Sequence, residues 1–280
     1  MRTEQRHTRR LWPWIIVIVG SVVALIAPIT WLPGTSDARA SRQAGDYRSV
    51  TTALERELPS ARDALMAITD PLAGPENFGG VVVPLFRLEG RARLADEASA
   101  AGLPAAWPFA PSEPFDELRP AQEDLADSAD SALSIVDDLV EVLNYRVAVV
   151  DILAVGDLPA AAPLNFRRFE ARLDEQRELQ AAALAALPRA DLLRDHAEEV
   201  RTAVDRFGDW VDEYTQSLWT GDEIATTTLL VEHRILRDGL RAGLAIELAR
   251  IRATIEAEIA ELDDSLDGIL AELDGIASGG

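Results

Sequence analysis

Few side chains in this sequence are equipped for chemistry. There is no cysteine, and all 27 basic residues are arginine, which removes thiolate nucleophiles, Cys-type zinc sites, Schiff-base lysines and P-loop lysines together. Beyond the N-terminal segment the histidines are His196 and His233. Neither belongs to H-E-x-x-H, and neither follows a glutamate by three residues as a ferritin-like carboxylate site requires. If the helices carrying them fold back on each other about Gly221, the two rings lie about 15 Å apart along the axis, too far to share a metal. His233 falls on an apolar stripe and is expected as a core or boundary residue. His196, among Asp195, Glu198 and Glu199, is expected to face solvent. Acidic pairs such as Asp137-Asp138 and Asp263-Asp264 lie on predicted helices, where charge runs are usually solvated faces, and no G-x-S-x-G, G-x-G-x-x-G or Walker sequence appears. Neither an enzyme nor a cofactor is expected.

Two short motifs need separate treatment. Residues 263–274 resemble an EF-hand calcium loop, with Asp263, Ser265 and Asp267 at positions one, three and five, Gly268 at six, Leu270 at eight and Asp274 at twelve. The run departs from that pattern by carrying Asp where the bidentate Glu belongs, and Leu262, Leu266, Ile269 and Leu273 continue a helical stripe straight through it. Continuous helix is the expectation, at a cost of about 1 kcal/mol for Gly268 relative to alanine. Trp219-Thr220-Gly221 resembles the W-x-G turn of the small secreted helical-hairpin proteins of type VII secretion, over three residues and a hairpin layout. An aromatic before a glycine turn closes any hairpin well, so Trp219 is expected to pack there, and that family's function is not carried over.

The elements that position these residues read as all-α. Spacings of three and four through Val50, Leu54, Leu58, Ala61, Leu65 and Ile68 predict a first helix with a kink or break at Pro59, ending at Asp70-Pro71. Residues 70–116 differ in kind, holding seven of the fifteen prolines together with Phe78, Phe86, Trp107, Phe109 and Phe115. They predict one long structured loop with a short helix near 87–101, whose aromatic rings form a candidate ligand or partner surface. A second helix is expected over 117–155. A third, capped by Asn165 and interrupted at Pro188, runs to Trp219, and a fourth runs from 222 to 276 after the turn at Gly221. Their similar lengths predict one long antiparallel hairpin over 166–276, coiled-coil-like in its seam. That fold would set Arg167, Arg168, Arg172 and Arg177 beside Asp263, Asp264, Asp267, Glu272 and Asp274.

Before these helices stands the strongest single signal. Residues 11–32 form an uncharged, mostly apolar run about 33 Å long as a helix, which matches a hydrocarbon core of about 30 Å. Trp12, Trp14 and Trp31 mark its ends, and Arg9 and Arg10 precede it, the pattern of a signal anchor with a cytoplasmic tail at 1–10. A cleaved signal peptide is the rival, since Ala38-Arg39-Ala40 has the small-residue cleavage pattern, but the run exceeds the usual h-region. The formal charge of −21 includes about +3 from the first 32 residues. The acidic remainder, 33–280, therefore lacks the basic face that nucleic acid requires. Many Ala, Arg and Asp residues with no lysine suggest a GC-rich bacterial genome.

The partners expected are the lipid bilayer and a protein of the bacterial cell envelope. A homo-oligomer is not indicated, because Glu256, Glu258 and Asp263 flank the last helix's seam and disfavour a parallel pair. The preferred reading is a single-pass protein whose acidic helical domain is an extracytoplasmic scaffold or interaction module. The alternatives are a small-ligand-binding bundle similar to the sensory domains of chemoreceptors, and a cytoplasmic-facing coiled-coil tether with reversed topology.

Overall fold

The computed structural model describes residues 36–101, 113–154 and 166–279, and every regular element among them is helical. The helices are α1 (Ser36–Glu55), α2 (Leu58–Thr69), α3 (Val82–Ala100), the single turn α4 (Glu113–Asp116), α5 (Arg119–Ala154), α6 (Phe166–Ala186), α7 (Arg194–Thr220) and α8 (Glu223–Gly279). A 3₁₀ segment, Pro75–Gly80, precedes α3. The run at 11–32 lies outside the described residues, and among those described no helix is long and apolar enough to cross a membrane.

The spine is α8, whose 57 residues extend about 85 Å. Its buried positions Leu240, Leu244, Leu248, Ile251, Ile255 and Ile259 continue through Leu262, Leu266, Ile269 and Leu273. Steps of three and four keep them on one stripe. Each fully buried leucine or isoleucine contributes about 1.5–3 kcal/mol of transfer free energy, so this stripe outweighs any surface charge pair on the helix.

Around the C-terminal half of α8 the chain builds an up-down-up-down four-helix bundle. α1 and α2 form one arm, and the expected break appears at Arg56-Glu57, with Pro59 in the first turn of α2, where its missing N–H costs nothing. That arm is antiparallel to α8: Arg48 pairs with Asp274 at 2.9 Å and Arg62 with Asp263 at 2.8 Å, and Arg252 Nε donates to Thr69 Oγ1 at 2.8 Å. α3 runs antiparallel to α5, where Gln122 donates to the Ser99 carbonyl at 2.6 Å. α5 runs antiparallel to α8, with the Ser128 and Ser265 hydroxyls 2.9 Å apart.

The loop expected over 70–116 is therefore corrected: the helix expected near 87–101 is present but longer, as α3, and it is a full member of the bundle with Leu85, Leu88, Ala92, Ala95 and Ser99 buried. The buried positions of its second half are small, so the helix carries little apolar periodicity of its own. Pro84 lies in the first turn, where proline is tolerated.

The long hairpin is corrected too. Its turn is where it was expected, with Gly221 at φ 69° and the Asp222 N–H donating to the Ser217 carbonyl at 3.0 Å, the 6→1 bond of a Schellman turn. The first arm, however, does not run straight. Between Ala186 and Arg194 the chain turns back, so that α6 packs antiparallel on α7, and Phe169 and Leu173 join Phe207, Val211 and Tyr214 in a second apolar cluster. Arg177 consequently lies 3.4 Å from Asp212, not beside the acidic end of α8, whose Asp263 and Asp274 are paired with α2 and α1. Covering Phe169 and Leu173 is worth more than exposed ion pairs of at most about 1 kcal/mol each. Residues 263–274 are helical throughout, which spreads the calcium-loop-like carboxylates along an axis instead of gathering them around a point.

Candidate interaction surface

The aromatic residues of 70–116 are not assembled into one site. Phe78 is buried under the guanidinium of Arg146, 5.0 Å from its ring centre, at the start of α3. Phe115 is buried beyond the other end of α3, a helix of 19 residues and about 28 Å. Phe86 is 66% exposed on α3 itself. Trp107 and Phe109 lie outside the described residues, as do Trp12, Trp14, Trp31, Arg9 and Arg10.

Two of the buried polar side chains, Arg146 and His196, tie helices together. Arg146 on α5 donates from Nη1 to the Ile68 and Asp70 carbonyls and from Nη2 to the Ala73 carbonyl at 2.7 Å, capping the C-terminal end of α2 and the loop after it. His196, expected in solvent, is buried instead. Its Nε2 lies 2.9 Å from the Leu240 carbonyl and its Nδ1 2.7 Å from the Tyr145 hydroxyl. A carbonyl can only accept, so Nε2 carries the proton and donates to Leu240, and Nδ1 accepts from Tyr145. The ring thereby ties α5, α7 and α8 together at the junction of the two halves. Both residues sit at seam spacing, Arg146 between Val142 and Val149 and His196 between Leu193 and Val200, and that spacing was the available signal.

The His196 imidazole titrates below its ordinary value because burial disfavours its charged form, although the Leu240 carbonyl, Glu199 and Glu247 oppose the shift. The folded state therefore binds this proton less readily than the unfolded chain. Its stabilising contribution is complete above the unfolded pKa of about 6.5 and is lost progressively as pH falls through that value. His233 shifts the same way, through burial and then Arg237. Asp138 and Glu258, raised by burial and neighbouring carboxylates, act in the opposite sense and gain on acidification. A comparison of variants isolates the histidine: His196→Gln is expected to show a smaller fall in melting temperature between pH 7.5 and 5 than the parent chain. Parallel falls in the two proteins would show that His196 binds its proton equally well in the folded and unfolded chains.

At the three-helix end, Trp210 stacks on Tyr214 at 4.8 Å and on His233 at 4.7 Å, and its Nε1 donates to the Leu229 carbonyl at 2.8 Å. Gln180 Oε1 and His233 Nε2 are buried without a hydrogen-bond partner. Both line a cavity of about 30 Å³, a volume that fits one water.

Outside this cluster a groove runs between α7 and α8, made of two recesses of about 840 and 380 Å³ that share Arg206 and Leu236. Phe207, Trp210, Leu236 and Leu240 line its floor. The carboxylates of Asp195, Glu198, Glu199, Asp209, Glu213 and Glu232 line its walls. On the α8 side Ile235 stands at the edge of the groove, and Ile224, Val231 and Ile246 recur on the same helix face outside it, Ile224 and Ile246 at 81% and 69% exposure. Trp219, expected to pack over the turn, is instead 64% exposed at the tip.

Fold and surface together define an elongated helical-bundle protein, a four-helix base and a three-helix end that share α8 and are tied at their junction by α5 and the start of α7. No protein-family model matches the chain, and no curated protein or solved structure shows significant similarity to it. Among the described residues no group of three or more His, Asp or Glu side chains could hold a metal ion.

Proposed function

We propose that this chain is a single-pass membrane protein whose helical rod serves as an extracytoplasmic scaffold, presenting its three-helix end to a protein partner in the cell envelope. The observation that carries this reading is the placement of the ends. The first described helix starts at the same end of the rod at which α8 finishes, as the Arg48–Asp274 pair records. The turn at Gly221 stands at the opposite end, about 85 Å away. A chain anchored through 11–32, with Trp12, Trp14 and Trp31 at the interfaces and Arg9 and Arg10 inside, would hold its base at the bilayer and its exposed Trp219 and Ile224 far from it. The same base argues against cleavage after Ala40, because the cut would fall within α1 and remove Ala40, which is buried in the bundle.

A ligand-binding bundle walled by the 70–116 aromatics finds no comparable support, since Phe78 and Phe115 lie at opposite ends of α3. Protease added to intact protoplasts tests the topology. Digestion of the rod with survival of an anchored N-terminal fragment is expected, whereas full protection would place the rod in the cytoplasm and reverse the assignment.

A further inference from the structure

We infer that the groove between α7 and α8 is a docking site for a basic amphipathic helix of a partner protein. The inference deepens the scaffold reading and rests on it for the partner's location only. A helix in a groove needs an apolar floor for its anchors and a rim that complements its polar face. The partly buried Leu236 and the edges of Phe207, Trp210 and Leu240, which remain only 4–8% exposed, supply the floor, Ile235 supplies one lip at 66% exposure, and Gly239, at which an added Cβ would meet nothing within 4 Å, keeps the groove open beside it. Six carboxylates line the walls against the single arginine Arg206. That imbalance selects the occupant's charge: a second copy of this acidic chain, with a formal charge of −21, would be repelled, while an Arg- or Lys-flanked helix would be steered in. From Asp195 to Glu213 the groove is about 27 Å long, which accommodates a helix of about 18 residues.

The acidic surface alone would attract any basic peptide, so the test separates shape from charge. The full chain is held in nanodiscs of zwitterionic lipid, with empty nanodiscs as the blank. Its binding is measured to an amphipathic peptide of about 18 residues, leucine on one face and arginine on the other, and to a scrambled peptide of the same composition. The ordered peptide is expected to bind at least about tenfold more tightly. Ile235→Asp, a substitution at an exposed position, adds a negative charge and removes the lip. It is expected to weaken binding about tenfold, the reverse of what electrostatics alone would do. Glu198→Arg with Glu199→Arg should weaken binding by a similar factor, whereas Glu97→Arg with Asp130→Arg, on exposed faces of α3 and α5, should change it less than threefold. Equal binding of the two peptides, tighter binding by Ile235→Asp, equal losses from both charge reversals, or sedimentation as a dimer that Ile235→Asp dissociates would each overturn the assignment. A reversed topology in the protease experiment leaves these affinities untouched, so failure of one reading is distinguishable from failure of the other.

Discussion

Replacing Arg146 with methionine costs the fold roughly 3 kcal/mol or more, because it strips a charged donor from the Ile68, Asp70 and Ala73 carbonyls at once. Methionine fills much of the same volume, so the loss is chiefly of hydrogen bonds and of the cation over the Phe78 ring. Arg146→Lys is expected to recover only part of it, since one ammonium cannot span carbonyls that a planar fork reaches together. Chemical denaturation followed by helical circular dichroism measures both. A loss for Arg146→Met under about 1 kcal/mol would mean that water replaces the guanidinium there, and the loop after α2 would then owe its conformation to something else.

A proline at Ala249 is the second large effect. Ala249 is exposed on α8, so the substitution removes no core contact and acts on the continuity of the helix, at a cost of about 3 kcal/mol or more. It falls where α8 passes from α7 to the four-helix base: Arg250 Nη2 donates to the Leu192 carbonyl at 3.2 Å, and Arg252 reaches Thr69. We expect the thermal unfolding of Ala249→Pro to split into two transitions, one for each half, whereas Ala249→Gly should lose about 1 kcal/mol and keep the parent profile. A proline variant that melts in one step at the parent temperature would show that the halves are coupled through α5 and His196 instead.

Much of the helical architecture was legible because long apolar stripes leave few choices. The stripe ending in Leu262, Leu266, Ile269 and Leu273 predicted the last helix almost to its end, and Gly221 marked its turn. What escaped was governed by partners distant in sequence. α3 buries Ala92, Ala95 and Ser99, residues too small to announce a core face, so its membership in the bundle depends on α5 lying against it. Pro188 announced an interruption, but a break does not say which way the chain leaves it, and the need to cover Phe169 and Leu173 decided that. The acidic neighbours of His196 point to solvent, whereas its spacing from Leu193 and Val200 puts it on the inner face. The groove lies between two helices, neither of whose sequences shows by itself that the carboxylates of α7 and Glu232 of α8 come to line one recess beside Ile235.

The antiparallel course of α1 along the last turns of α8 also determines how the rod would bear a pull. Tension applied between Ser36 and the turn at Gly221 enters through one helix and leaves through another. It therefore slides the two past each other along their shared length instead of peeling them apart at an edge. Every contact between them resists at once, so a thin bundle with modest surface pairing can act as a stiff strut.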